Sequence, residues 1–516
     1  MTRSQQARLS KTSGRSGVSS RTASRLTLPL QGATLLLAVA CSQELPPDIV
    51  LLTIDTLRAD HLGCYGYDPY ELPVSPEIDR LASRSVLFER CYVPRGQTLP
   101  SLTSLLTGLY PSSHDVRENG IPFDLTVDSL GAMLRRAGFE TAAYLAVFPG
   151  PQDRSVATPF RDFRSPWYEK HLPAFEDEND ETVTRLAIEF IHRQGDPAHR
   201  SKRYFLWIHL FDVHKPFAPR SPYLTRFLPS VLGEHPEASS LWDEKIRPAI
   251  VEATRKGERL PDPDQRRVLA LYDGGIASAD ERVGRILAAL EQENALDPAF
   301  LVLTADHGEE LGDHNGYYYH SSSVYDSVLN VPLIVKGPHQ REHRRVTSLV
   351  ENIDLVPTIL EAALLAVPQH LEGVALGGLL EGRQAESERT HVFAEWQDLI
   401  ETIRSREWKY VFNPQGAHPR KPPYDQWKDK GFAIACEELY DVASDPGETR
   451  NLVESEPAVA SALRAELETF RERPLRRSQM TRGVTESLRP ALEETGYTGA
   501  PEDRSDVLLH PDDCGR

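Results

Sequence analysis

The stretch that decides the fold is DIVLLTIDTLRADHLGCYGY, residues 48–67. Its apolar run, Ile49–Ile54, is short, unbroken and bounded by Asp48 and Asp55. That is the pattern of a parallel strand covered on both faces; a strand with one wet face alternates. A carboxylate directly after such a strand stands at the edge where open α/β sheets place their ligands. The same rhythm continues outward along the chain. VDSLGAMLRRAGF (127–139) predicts an amphipathic helix leading into a strand within ETAAYLAVF (140–148), and a helix over Glu181–Arg193 leads into RYFLWIHLFDVH (203–214). A long helix over 264–294 feeds PAFLVLTADHGEE (298–310). Alternating helices and buried strands imply a doubly wound, mostly parallel sheet with helices on both faces.

The pattern changes near residue 385. THVFAEW, ETIRSREWKYVF and EELYDVASD are short β-rich segments separated by turn residues, and a helix follows over Pro457–Arg473. This predicts a smaller antiparallel sheet with one packing helix. The expected organisation is a leader over 1–40, a linker over 41–47, a catalytic domain over 48–384, a C-terminal subdomain over 385–476 and a poorly ordered tail over 477–516.

The net charge is −18, while the first forty residues carry six Lys/Arg and no acid. An acidic chain lacks the basic face that nucleic acid or an anionic membrane surface requires, so both are excluded as main partners. The basic start followed by LTLPLQGATLLLAVAC reads as an export signal too short to span a bilayer. Ala38-Val39-Ala40-Cys41 resembles a bacterial lipoprotein cleavage box, which makes Cys41 the expected lipidation site and the periplasm or cell envelope the expected location. A lipid anchor is then the only expected membrane contact. Cys64, Cys91, Cys436 and Cys514 show no metal-ligand spacing and are read as small buried hydrophobes, although export permits a Cys64–Cys91 disulfide.

Three strand ends deliver polar groups toward one crevice: Asp55; Asp306 and His307; and His209, Asp212 and His214. Carboxylate and imidazole together suit a divalent cation. QTLPSLTSLLTGLYP (97–111) supplies a further candidate. Pro100 fits a helix's first turn, Gly108 fits its stop, and Thr98 falls at the N-cap. A hydroxyl there either caps the helix or faces a bound sulfate or phosphate, where a neighbouring metal turns it into a nucleophile.

From Asp48 to Leu452 the chain resembles the sulfatase family of the alkaline-phosphatase superfamily. The resemblance rests on DIVLLTIDTLRADHLGCYGY, TLPSLTSLLTGLYP, LRRAGFETAAY, FLWIHLFDVHKPF, LTADHGEELGDH, SVYDSVLNVPLIVKGP, NIDLVPTIL and ELYDVASDPGETRNL in family order. It implies an alkaline-phosphatase-like α/β fold, a large sheet sandwiched by helices, with a small C-terminal antiparallel sheet. It also implies one divalent metal, calcium by family with manganese or zinc as alternatives, held by Asp55, Asp306, His307 and the oxygen of Thr98.

Thr98 stands where sulfatases carry the Cys or Ser that becomes formylglycine, so no formylglycine is expected here. Leu102 stands in place of the family Arg, Thr56 in place of a second Asp, Ala146 and Phe148 in place of Lys and His, and His320 in place of a downstream Lys. Thr98 is the expected nucleophile, as in superfamily branches that use an unmodified Thr. His214 is expected to protonate the leaving group or bind a non-bridging oxygen, with Asn119, His209 and His320 on the substrate side. Asp212, His214 and His320 form the set for any second metal, and Arg58 and His314 are read as supporting residues. The expected activity is hydrolysis of a sulfate or phosphate ester of a small molecule, glycan or lipid. The alternatives are a phosphoethanolamine-like transferase and an inactive sulfatase-like binding protein.

Overall fold

The computed structural model describes residues 45–473, apart from 122–128, 149–158, 171–176, 198–201, 228–240, 257, 315, 398, 415–417 and 420–433, together with 507–508. The expected leader, Cys41, Cys514 and nearly all of the tail lie outside the described residues. So does much of the two loops, 147–176 and 220–262, that the sequence leaves without a readable pattern.

Ile49–Ile54 is β1, every residue of it buried, and it lies inside an eight-stranded sheet. The others are β2 (Val86–Tyr92), β3 (Glu140–Leu145), β4 (Asp162–Arg164), β5 (Tyr204–Leu210), β6 (Phe300–Ala305), β7 (Asn330–Lys336) and β8 (Arg344–Glu351). Their order is β4-β3-β5-β1-β6-β7-β2-β8. All neighbours are parallel except β7, which runs antiparallel to both β6 and β2. The continuous apolar runs of β1, β5 and β6 follow from this placement, because a strand inside a helix-covered sheet has no wet face. The 31-residue helix Asp262–Gln292 packs on the Asp177–Gly195 helix, which in turn rests on β3 and β5.

The C-terminal sheet has β9 (Val392–Trp396), β10 (Ile400–Arg404), β11 (Trp408–Phe412) and the strand Glu437–Asp441, all antiparallel. The helix Pro457–Arg471 seals its own small core of Ile403, Tyr410, Phe412, Leu439, Ala460, Leu463 and Leu467. A buried charge cluster ties this sheet to the main one: Lys409 bridges Asp326 at 2.9 Å and also meets Glu448. Arg404 Nε reaches the same Asp326 at 3.0 Å. Cys64 and Cys91 are free thiols, so the permitted disulfide between them is not made. Cys436, expected to be a plain buried thiol, is disulfide-bonded. Among the described residues no helix is long and apolar enough to cross a membrane.

Candidate active site

The sheet register assembles the site. Ile54 pairs with Leu210 on one side and with Ala305 on the other, so three strands end level. Asp55 and Asp306 each follow the last paired residue and stand side by side. His209 pairs with Thr53, two residues before Asp55, and the alternation of strand side chains puts positions 53, 55, 209 and 306 on one face. Ligand atoms of Asp55, His209 and Asp306 lie within 4.8 Å of one another, and all three residues are buried. The sequence places His209 on the substrate side; the register moves it beside the carboxylates.

Asp306 is held so that only one oxygen faces the site. Its Oδ1 accepts the backbone N–H of Thr56 at 3.2 Å and that of His307 at 2.9 Å. Its Oδ2 is buried with no hydrogen-bond partner among the described residues. Thr56 adopts φ of 56° to make this contact, the left-handed region that a β-branched residue enters only at a cost. Burial raises the Asp55 carboxyl, but contact with His209 and the nearby His214 and His307 outweigh it and hold it low. Burial and the charge of Asp55 push Asp306 up. Two buried carboxylates this close carry a penalty that a bound cation removes, so the donor set fits a divalent metal.

Four imidazoles surround these acids. His307 Nδ1–H donates to Gly308 O at 2.9 Å and His214 Nδ1–H to Lys215 O at 2.5 Å. A carbonyl only accepts, so each neutral ring keeps its lone pair on Nε2. His320 Nδ1 lies 3.1 and 3.0 Å from the Glu309 carboxylate oxygens, and His209 Nδ1 lies 2.9 Å from Thr53 Oγ1. Thr53 Oγ1 takes the Trp207 indole N–H at 3.0 Å and gives its own proton to Ile208 O at 3.3 Å, which leaves His209 Nδ1 as donor. Burial pushes His214 down to about 3 and His320 well below the usual imidazole range, so both are neutral. His307 and His320 rings are 4.4 Å apart, and His214 and His320 rings 5.2 Å apart.

Thr98 opens a ten-residue helix, Thr98–Thr107, one position inside the expected cap; Gln97 is the N-cap residue. Its Oγ1 lies 3.2 Å from His307 Nε2, and His307 Nε2 lies 3.3 Å from Asp306 Oδ2. The hydroxyl is thereby joined to the acidic group. Asn119 supplies the cap the helix lacks locally, its Oδ1 accepting the Leu99 N–H at 2.8 Å, while its Nδ2 is buried without a hydrogen-bond partner among the described residues. Ser101 Oγ donates to Asp306 O at 2.5 Å, strapping the helix to the β6 strand end. Gly108 ends the helix at φ 67°, as the sequence predicts.

Asp212 is not available to a metal. Its carboxylate takes Arg282 Nε at 3.1 Å on both oxygens and the Ser278 hydroxyl at 2.7 Å, so the second-metal set of Asp212, His214 and His320 does not form. Arg58 and His314 do support the site: Arg58 binds Asp60, Asp313 and the carbonyl of Glu309. His314 Nδ1 sits on Glu310 at 2.9 Å. Glu309, which the sequence reading passes over, orients His320. Its signal was present in DHGEE, but nothing in that string says which of the two acids turns inward. Lys215 is also missed: it lies directly after His214, and its Nζ sits 3.8 Å above the Tyr319 ring.

Residues 47–365 match the family described as sulfatase, and residues 312–473 match the N-sulphoglucosamine sulphohydrolase C-terminal family. The chain belongs to the sulfatase family. It is a hydrolase of ester bonds. A sulfatase relative, the arylsulfatase of Clostridium perfringens, is 24% identical over 472 residues, spanning 80% of this chain and 91% of that one. The multifunctional alkaline phosphatase superfamily protein PehA of Trinickia caryophylli is 26% identical over 497 residues, 81% of this chain and 93% of its own. The phosphonate monoester hydrolase of Agrobacterium radiobacter superposes with a TM-score of 0.62 at 24% identity, covering 82% of this chain and 95% of that chain. The family's fold is the one described above, alkaline-phosphatase-like, and its dependence on metal agrees with the Asp55, His209 and Asp306 triad.

Proposed function

We propose that this sulfatase-family chain hydrolyses a sulfate, phosphate or phosphonate ester through Thr98 as nucleophile, beside a divalent cation held by Asp55, His209, Asp306 and the Nε2 of His307. The observation that carries the reading is the 3.2 Å contact between Thr98 Oγ1 and His307 Nε2 at the opening of a helix. A bound cation supplies positive charge that favours the ionised hydroxyl and screens the ester's oxygens. The Asn119 amide donor, buried beside the start of that helix, supplies a hydrogen bond that stabilises charge on the transferring group.

The chemistry runs as two displacements. Thr98 Oγ loses its proton and bonds to phosphorus or sulfur as the bond to the ester oxygen breaks and that oxygen leaves as the alcohol, taking up the proton; water then attacks the same atom, the bond to Thr98 Oγ breaks, and the water's proton returns to Thr98. Neutral His214 holds its lone pair on Nε2, so it suits taking a proton from that water better than protonating the leaving group. An unmodified hydroxyl suits phosphoryl transfer, because the second displacement frees it without aldehyde chemistry. Release of the phospho group to an alcohol in place of water is the transferase variant of the same step. Export with a lipid anchor at Cys41, and substrates among small-molecule or glycan esters, complete the proposal.

The test uses purified protein, an aryl phosphate diester and an aryl sulfate, with calcium, manganese or zinc. Wild type turns over at least one ester, Thr98→Ala turns over none and keeps its unfolding midpoint, and mass spectrometry after a substrate quench shows a phospho or sulfo adduct on Thr98. An unchanged mass during turnover removes the covalent route. Wild type as inert as Thr98→Ala with every ester and metal leaves the binding-protein reading.

A further inference from the structure

Three lysines among the described residues are buried, and two of them are fully committed. Lys336 donates to Asp297 O at 2.7 Å and Gly337 O at 3.1 Å, and Lys409 is locked between Asp326 and Glu448. Lys215 is different. It is 8% exposed, and its ammonium makes no hydrogen bond or ion pair among the described residues, resting only on the face of Tyr319. An ammonium carries three N–H donors, and one ring face replaces the hydration of only part of it. A buried cation in that state is costly unless an anion completes it.

Its position says where that anion comes from. Lys215 follows His214, and Tyr319 precedes His320; the His214 and His320 rings are 5.2 Å apart, and His320 stacks toward His307, which touches Thr98. Asp55 and Glu309 are the acids whose field reaches the ammonium, with Arg247 opposing them. Burial pushes Lys215 down to about 8, so it stays charged at neutral pH. Apart from the Asn119 amide donor, which is neutral, the other groups around Thr98 are poor hosts for an anion. His214 and His307 turn lone pairs inward, and the nearby arginines are engaged, Arg58 with Asp60 and Asp313, Arg95 with Glu395 O and Gln97.

We propose that Lys215 is the anion-binding residue of this site, its ammonium taking a charged oxygen of the sulfate or phosphate group of the substrate. The proposal rests on the ester-hydrolase reading of the pocket, but its test does not need turnover. Inorganic phosphate and sulfate are titrated calorimetrically into manganese-loaded Thr98→Ala protein and into the same protein carrying Lys215→Met. The dissociation constant rises about tenfold or more in the double variant, the loss expected of one charge-assisted hydrogen bond. A second variant, Lys215→Cys, is titrated before and after alkylation with 2-bromoethylamine, which rebuilds a side chain ending in an ammonium. Alkylation restores affinity to within about threefold, and this comparison replaces the first if Lys215→Met does not fold. Affinities that agree within about twofold with and without the charge overturn the proposal. So does a variant that changes the unfolding midpoint alone, which would make the cation a structural partner of Tyr319. Residual turnover by Thr98→Ala would strike the nucleophile assignment and leave the anion titration standing.

Discussion

His314 and Glu310 fasten the loop that runs from the Asp306 and His307 pair to His320, and they give that loop a pH dependence. His314 Nδ1 lies 2.9 and 3.0 Å from the two oxygens of Glu310, and the ring stacks on Tyr325 at 3.8 Å. Burial opposes the imidazolium, but Glu310, with Glu448 and Asp313 behind it, raises it from 6.5 to about 9. A pKa raised on folding contributes stability that is complete below the unfolded value and is lost as pH climbs through the folded one. The window is therefore about pH 6.5 to 9, and the shift corresponds to roughly 3 kcal/mol at its low-pH end. The perturbation is His314→Gln, which keeps a polar side chain of similar length and removes the charge. Urea unfolding of both proteins is followed at pH 6, 7.5 and 10 by tryptophan fluorescence. The variant is less stable by about 2 to 3 kcal/mol at pH 6, by less at pH 7.5, and by under about 1 kcal/mol at pH 10. A gap that stays constant from pH 6 to 10 would refute the charge account and assign the whole effect to stacking on Tyr325.

Three further outcomes follow from the site. Asn119→Ala loses the helix cap and the amide donor together, so it costs about 1 kcal/mol in the unfolding midpoint as well as turnover. Asn119→Asp keeps an oxygen for the Leu99 N–H, so stability holds to within that amount while turnover falls, and equal activity of wild type and Asn119→Asp would remove the donor role. Arg282→Met strands the buried Asp212 carboxylate and costs about 3 to 5 kcal/mol, read by denaturant unfolding. Asp212→Asn leaves the content of bound divalent metal unchanged while Asp306→Asn lowers it, as measured by elemental analysis of dialysed protein; an equal fall in both would return Asp212 to the metal set.

Much of the fold was legible because burial leaves a mark in composition. Ile49–Ile54, Tyr204–Leu210 and Phe300–Ala305 are each a continuous apolar run, and the long helix over Asp262–Gln292 carries its own period. Asp55 and Asp306 were legible for the same reason, as charges placed where apolar runs stop. The role of His209 was not, because it lies inside an apolar strand, and only the pairing of His209 with Thr53 says that it shares a face with Asp55. Asp212 and Asp306 look equivalent in the string, each an acid just past a buried strand, yet Arg282 from a helix seventy residues away claims the first.

The sequence by itself determined the order of helices and strands, the strand-end acids, and the short helix that Gly108 ends, since each depends on hydrophobic periodicity and stop residues local to the chain. The tertiary structure alone decided which groups meet. Proton positions on the four imidazoles depend on carbonyls and hydroxyls brought up by the fold, as with His307 on Gly308 and His209 on Thr53. The pairing of Thr98 with His307, the single inward oxygen of Asp306 and the ammonium of Lys215, without a hydrogen-bonding partner among the described residues, depend on groups far apart in the chain. Local pattern carries no information about such distances, because a side chain's chemistry in a buried site is set by its neighbours' charges and donors and not by its own identity.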